Sequence, residues 1–544
     1  MKENTLLSMS CRPYKWLSFL PFLLFTGCAS VGPDFKTPES NIESEWVNYK
    51  VDDIPQGEEF QQYWWQQFND PVLDKLIETA QENSPTLQSA GIKVVQFLAQ
   101  YDIDVGNLYP QTQAIEGAVD YERLNSDLVD AIPGLDKDLF TDSLQFKASW
   151  ELDVWGKYRR NIEAGNADFL ASVASYDDAL VTLISEVAST YITIRELEKR
   201  IEVAEDNVEL QQESFRIAKV RYEAGQTSEL DMRQAETQLA NTQSQVPALK
   251  ENLQQNKNAL ALLIGETPNN ITPYIEHRYA ELPETPDQIF AGIPRDLLRR
   301  RPDIRQAEYS AAAQSALIGV TQSQLYPSFS LSGVFGFGSS DVGNSSLSDI
   351  FQWDNRVIKG SAGFTMPIFN YGRIVNAVRV QDAVFQQAVL NYQNTVLSAQ
   401  KEVEDALASY VYSQDQSYYL ATASTSSKRS AELSVLQYKS GATDFTTVLT
   451  AAQARLEAED SYVQSQSNIL QGIVSVYREI GGGWELRSDK PFISPELQEE
   501  MSERTNWDEK LELKSKELLN QDESNESVDD ANNNSAETER NVSW

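Results

Sequence analysis

Residues 300–327, "RRPDIRQAEYSAAAQSALIGVTQSQLYP", repeat residues 83–110, "NSPTLQSAGIKVVQFLAQYDIDVGNLYP". Pro302 falls on Pro85, Ala307 on Ala90 and Tyr326-Pro327 on Tyr109-Pro110, each 217 positions on. Downstream the spacing is 216: Gly372 falls on Gly156, Tyr392 on Tyr176, Glu402 on Glu186, Tyr438 and Gly441 on Tyr222 and Gly225, Ala451 on Ala235 and Gly481 on Gly265. One single-residue gap keeps every pair in register over about 180 residues, which chance identities do not do, so the chain reads as two copies of one structural unit. The copies span 83–265 and 300–484, with a linker over 266–299.

Within each copy the hydrophobic period is first two. In "FKASWELDVW" (146–155) the residues Phe146, Ala148, Trp150, Leu152 and Val154 alternate with Lys147, Ser149, Glu151 and Asp153. In "PSFSLSGVFGFG" (327–338) Phe329, Leu331, Val334 or Phe335, and Phe337 alternate with serine and glycine; in "GSAGFTMPIF" (360–369) Phe364, Met366 and Ile368 stand on one side. "QTQAIEGAVDY" (111–121) is the weakest, with Ile115, Val119 and Tyr121. Strands are therefore expected at about 111–121, 144–155, 328–338 and 360–369, joined in pairs by polar loops over 122–142 and 339–358. About ten residues is enough for a tilted strand to cross a bilayer, with apolar side chains outward and polar ones inward. A soluble sheet with one buried face has the same period.

The period then lengthens. No proline lies between Pro133 and Pro247 or between Pro367 and Pro491, so each window can hold a very long helix. From Leu180 the apolar or small positions run Ile184, Val187, Tyr191, Ile194, Leu197, Ile201, Ala204 and Val208, then pass the polar Gln211 to Phe215, Ala218 and Tyr222. These are heptad steps with a local stammer, and a helix from Gly156 to Tyr222 is roughly 100 Å long. A coiled-coil rod shares this feature. Two strands per copy make four per chain, and an open sheet has edges that hydrocarbon does not tolerate. A spanning barrel must be shared: two chains give eight strands, three give twelve, and only the larger encloses a wide channel.

The 544 residues carry 45 basic and 81 acidic side chains, a net charge of −36, which argues against nucleic acid as a partner. The chain opens with Lys2, Arg12 and Lys15, an apolar run from Trp16 to Phe25, and Thr26-Gly27-Cys28. That order reads as a signal peptide over 1–27. It resembles a bacterial lipoprotein, although Phe25 stands where the lipobox usually has a smaller aliphatic residue. The resemblance implies lipid, palmitate included, on Cys28, a lipidated N-terminal segment over 28–82, and, from Ala29 after the cysteine, sorting to the outer membrane. Cys11 and Cys28 are the two cysteines, so the mature chain has no internal disulfide. No apolar run of 18 residues follows Cys28. The sole histidine, His277, sits in the linker, so no histidine cluster can bind metal within one chain, and no phosphate-loop pattern occurs. An enzyme, a cofactor and a metal site are not expected.

"IPRDLLRRRPDIRQAE" (293–308) at the junction of the copies, "CASVGPDFKTP" (28–38), "WWQQFNDPVLDKLIETA" (64–80), the two "LYP" triplets and the glycine turns "RYEAGQTSELDMRQAE" and "QYKSGATDFTTVLTAAQ" resemble the outer-membrane efflux lipoprotein family, the TolC-like outer membrane factors of tripartite RND-type pumps. The resemblance implies an α+β membrane protein. It would be a homotrimer with a shared twelve-stranded outer-membrane barrel and a long α-helical periplasmic barrel. It implies a passive exit duct for small molecules such as drugs, toxic compounds or metal ions, docked on a periplasmic adaptor and an inner-membrane transporter. A duct for type I protein secretion and a tethered periplasmic coiled-coil scaffold are the alternatives.

In similar proteins acidic residues ring the closed tip after the second glycine turn, at positions matching Thr447 and Thr450; this chain departs from that pattern. Thr443, Thr447, Thr450 and Ala454, spaced 4, 3 and 4, form a small, mostly polar stripe, expected to line the gate with Tyr438 and Gln453 at its contacts. A solvated helix face with Phe445, Val448 and Leu449 packed behind it fits the same spacing. From Glu485 to the end there are 17 acidic and 7 basic residues, which reads as an unordered acidic extension over 485–544, with a short helix near Trp507 to Leu519 as the one ordered element.

Overall fold

The computed structural model describes residues 30–39, 42, 62–125, 137–275, 281–286, 300–340, 350–487 and 490–512. Cys28 with the signal segment, His277, residues 293–299 of the junction motif and the tail from 513 lie outside them.

After a helix α1 (Pro71–Asn83), the first half runs α2 (Pro85–Gly106), β1 (Thr112–Arg123), β2 (Asp138–Leu152), α3 (Lys157–Glu223) and α4 (Glu229–Leu263). The second half runs α5 (Pro302–Ser323), β3 (Ser328–Ser340), β4 (Arg356–Thr365), α6 (Arg373–Lys439) and α7 (Phe445–Glu479), and α8 (Pro495–Arg504) follows. The helices come in matched pairs: 22 residues each for α2 and α5, 67 for α3 and α6, 35 for α4 and α7. At about 1.5 Å per residue the longest pair measure roughly 100 Å each. Both end at a glycine with left-handed backbone, Gly225 (φ 69°) and Gly441 (φ 76°), a conformation that strains any other side chain. The helix after each turn is capped alike, Ser228 accepting from the Asp231 amide (3.2 Å) and Asp444 from the Thr447 amide (3.0 Å). Among the described residues no helix is long and apolar enough to cross a membrane.

One compact unit comprises residues up to Thr37, Phe97–Phe169 and Tyr309–Leu390. Its four strands form one antiparallel sheet in the order β1-β2-β3-β4. The register aligns Ile115 with Phe146, Phe146 with Phe335 and Phe335 with Ile358. The ambiguous pair in β3 is thereby settled: Phe335 shares the apolar face and Val334 the other. Both β2 and β4 are shifted from the pattern in sequence: β2 begins at Asp138 and β4 at Arg356, inside the stretches expected as loops, and both stop early. β2 stops at Leu152 because Asp153 turns to accept from the Tyr158 and Arg159 amides (both 3.0 Å), which starts α3. β4 stops at Thr365, ahead of Pro367, which has no amide hydrogen for a ladder. Met366 and Ile368 fall outside the strand.

The other unit comprises Pro38–Gln96, Leu170–Glu308 and the chain from Asn391 on. Its core holds Trp64 stacked flat on Tyr477 (5.2 Å, 7°), with Leu73, Leu76 and Ile77 fully buried. The α3 positions Ile184, Val187, Tyr191, Ile194, Leu197, Ile201 and Ala204 are all buried; further along, Asn207 and Gln211 are buried in place of apolar residues. The stretch after Glu485 is partly ordered, which its composition did not suggest. The carbonyl of Phe492 occupies the space that a Cβ on Gly91 would need, Ser494 caps α8, and Ile493, Met501 and Leu511 pack with Val95. Four apolar side chains spread among many charges were enough to hold it. Of the helix expected around Trp507 to Leu519, the described residues hold one turn over Asp508–Glu512, and 513–519 lie outside them.

Candidate functional site: channel wall and hairpin tips

The sheet separates its two faces by chemistry. On one side the register gathers Ile115, Val119 and Tyr121, then Phe140, Leu144, Phe146, Ala148, Trp150 and Leu152, then Phe329, Leu331, Phe335 and Phe337, then Ile358, Ala362 and Phe364. Ile115 and Val119 are each 75 % exposed and Phe364 is 70 %, so this apolar face has no core behind it. The charges on it, Arg123, Asp138, Asp142 and Arg356, stand at the strand ends next to the loops, and Arg123 pairs with Asp138 at 3.7 Å. From Leu144 to Leu152 the uncharged run is roughly 27 Å along the strand, or about 20 Å of depth for a strand tilted near 40°, close to the apolar band of a membrane barrel. The opposite face carries Glu116, Asp120, Glu122, Gln145, Lys147, Ser149, Glu151, Lys359 and Ser361, with serine and glycine filling β3. Lipid on one side and water on the other accounts for both.

Each "LYP" triplet holds a tryptophan at the end of the sheet. Trp150 donates to the Leu108 carbonyl (3.0 Å), while Trp155 donates to the Pro327 carbonyl (2.8 Å) and stacks on Tyr326 at 4.8 Å. The segment that follows Cys28 is fixed at the same end: Val31 donates to the Trp155 carbonyl (3.0 Å) and Arg160 binds Asp34 (2.6 Å). Gly32 lies against Gly319, where a Cβ on Gly319 would stand 2.5 Å from the Val31 carbonyl oxygen.

In the second unit the junction motif works as a clasp of arginines. Arg301 binds Asp303 (2.9 Å), Glu402 (2.8 Å) and the Glu479 carbonyl (2.8 Å), and Arg300 pairs with Glu485. Arg305 reaches Asp177 (3.3 Å) and lies 5.0 Å over the Trp484 ring. Asp177 is fully buried and also gripped by Arg487. Burial pushes its carboxyl up to about 6, with Arg487 and Arg305 pulling the other way.

The tips of the two hairpins, α3–α4 and α6–α7, meet around Tyr438. This residue is 3 % exposed and packs with Ala218, Ala235, Phe445 and Val448, its ring 5.5 Å from that of Phe445. Arg221, one turn before the first glycine, donates to the Tyr438 carbonyl and covers its ring at 4.6 Å. Lys439 reaches Glu213 at 3.5 Å, and Arg216, then Lys439, holds the Glu213 carboxyl down at about 2. Gln453 donates to Gln238 at 2.9 Å. Thr443 is half-buried and donates to the Thr447 hydroxyl (3.0 Å); Thr447 and Thr450 are exposed on the face of α7 opposite Phe445 and Val448. The stripe is therefore one face of α7 from Thr447 on, with Thr443 just ahead of the helix cap, and Tyr438 lies behind it between the hairpins. Arg221 was not singled out in the sequence. Its one signal is the repeat itself, which sets it opposite Gln437 in otherwise parallel turns.

Among the described residues no group of three His, Cys, Asp or Glu side chains is placed to hold a metal. The sequence pattern of outer membrane efflux proteins matches residues 76–266 and 293–482, one block for each half. The chain belongs to the outer membrane efflux protein family. This efflux protein is similar to the pyoverdine export outer membrane protein OpmQ of Pseudomonas aeruginosa, 31% identical over 433 residues that cover 78% of this chain and 87% of that one. It is 27% identical to the cation efflux system protein CusC of Escherichia coli, over 87% of this chain and 99% of that one. Among solved structures, the outer-membrane channel OprN matches with a TM-score of 0.76 at 29% identity, covering 84% of this chain and 99% of that one. The Campylobacter jejuni outer membrane channel CmeC matches with a TM-score of 0.77 at 25% identity, covering 88% and 99%. The efflux protein is thus a trimeric TolC-like channel of the outer membrane that extends into the periplasm, and the bare edges of β1 and β4 close in a shared barrel of twelve strands. Its family is one of transport channels.

Proposed function

We propose that this efflux protein is the exit duct of a tripartite pump for small molecules, shut at its hairpin tips until a periplasmic adaptor loosens them, with the energy supplied by an inner-membrane transporter. The observation that carries the reading is the clasp of Arg221 on Tyr438, which ties one hairpin to the other close to the turns. Such a contact is strong enough to hold a resting state and small enough for a docking protein to displace. The half-buried Thr443 and the exposed Thr447, Thr450 and Gln453 are then the lining of the constriction. Replacing Thr450 with phenylalanine narrows that lining without touching the buried Phe445 side of α7. Cells carrying it should lose most of the efflux measured as dye extrusion, at unchanged levels of trimer; unchanged extrusion would remove Thr450 from the gate. Deleting the gene should raise small-molecule accumulation while leaving protein export intact, and the reverse result would favour a secretion duct.

Cys28 is the proposed lipid site. It is two residues from Ser30, a reach of at most about 7 Å, and Ser30 packs against Gly156 just beyond β2. Lipid there would enter the membrane beside the strand ends. Labelled palmitate should enter the wild-type chain and not Cys28→Ser, whereas trimers of both should stay in the outer membrane, because the apolar sheet face holds them independently. Label in the variant would place the lipid elsewhere.

A further inference from the structure

The polar face of the sheet is not uniformly acidic. The register sets Lys147 opposite Val334, and Val334 opposite Lys359, so the two lysines share one row, two strands apart. Lys147 pairs with Glu116, while Lys359 is exposed and has no ion-pair partner among the described residues. Within the chain the other carboxylates of this face are distant. Asp120 and Glu122 stand six and eight residues beyond the row along β1, at least about 20 Å away, which is two Debye lengths at physiological salt. Glu151, four residues the other way, is held by Lys157 at 3.1 Å. β3 contributes only Ser330, Ser332, Val334, Gly336 and Gly338 next to the row, none of them long enough to screen it.

We infer that Lys359, repeated in the three protomers beside the Glu116-paired Lys147, forms a basic collar inside the barrel, below an acidic mouth of Asp120 and Glu122, and that the collar favours passage of solutes bearing anionic groups such as carboxylate, sulfonate or phosphate. The inference rests on the reading above that small molecules leave through this barrel, and adds their charge class. Twelve strands spaced about 4.8 Å apart and tilted near 40° enclose a backbone radius of about 12 Å. Each lysine reaches roughly 6 Å inward, so three symmetry-related Lys359 ammonium groups lie about 10 Å apart, close to one Debye length, and their fields overlap across the lumen. Rings of lysine or arginine are how pores select anions.

The test uses full-length trimers in planar bilayers under a tenfold KCl gradient, in the wild type and in an Arg221→Ala background whose tip adds less resistance. Lys359→Gln should raise the potassium-to-chloride permeability ratio about twofold, and Lys359→Glu more, as expected for a charged ring. The neutral change Ser361→Asn on the same face should leave the ratio where it was. Absence of any conductance would count against the channel reading itself. Normal conductance with an unmoved ratio in both lysine variants would overturn the collar alone. Loss of trimers in Lys359→Gln without a shift in the remaining ones would overturn it too, assigning the lysine to the seam between protomers.

Discussion

Replacing Arg221 with alanine should turn a closed duct into a leaking one. The side chain supplies a charge-assisted hydrogen bond to the Tyr438 carbonyl and a cation–π contact to its ring. Together these contribute about 2–4 kcal/mol for a half-buried group, so their loss shifts each tip toward opening by roughly 30-fold to 1,000-fold. The core positions of the long helices are untouched, and trimers should form at normal levels. Single-channel conductance in bilayers should rise several-fold, and cells should become sensitive to large antibiotics that the wild type keeps out. Arg221→Lys keeps the charge but not the planar fork, and should fall between the two. Unchanged conductance in the alanine variant would show that the clasp does not hold the resting state.

The second large effect is expected at the buried pair Arg487 and Asp177. Replacing Arg487 with methionine leaves a fully buried carboxylate with Arg305 as its remaining guanidinium partner, which typically costs about 3–5 kcal/mol. The cost should depend on pH in a definite direction. The Asp177 carboxyl, already raised to about 6 by burial, rises further once Arg487 no longer pulls it down. A folded state that keeps a proton which the unfolded chain gives up near pH 4 loses stability as pH increases, until the folded group ionises. That window closes near pH 6 in the wild type and extends above it in the variant. The unfolding temperature in detergent should therefore differ little at pH 5 and clearly at pH 8. An equal deficit at both would mean that lost packing of the arginine stem, not the orphaned charge, is responsible. Proteolysis should also release the segment beyond residue 490 faster, because Arg487 anchors it just before Phe492 and Ile493 turn inward.

Most of the fold was legible because its signals are local and doubled. A period of two predicts strands wherever one face meets lipid, proline-free windows set the reach of α3 and α6, and the repeat supplies each argument twice. What escaped depends on partners far away in sequence. Tyr222 and Tyr438 occupy equivalent positions in nearly identical turns, yet the first is 38 % exposed and the second 3 %. The difference comes from Arg221 and Phe445, which reach Tyr438 from the other hairpin and from across its own turn. The choice between Val334 and Phe335 likewise needed the pleat of β2, since two adjacent apolar residues carry no phase of their own. Gln211 interrupts the heptads as a gap in the pattern and is nonetheless buried. Average composition concealed the chain after residue 490 for a simpler reason: Phe492, Ile493, Met501 and Leu511 are few, but all four are buried.

The equal lengths of α3 and α6, and of α4 and α7, limit how such a protein can change over time. Adding one heptad to α3 alone would carry its turn about 10 Å past its counterpart and pull Arg221 away from Tyr438. A gain in α3 must be returned in α4 and copied in α6 and α7 before the tips are level again. Reach is therefore inherited in whole steps taken by both halves at once. The helices act as a ruler, and what the ruler records is the depth of the compartment between the outer membrane and whatever the tips must meet.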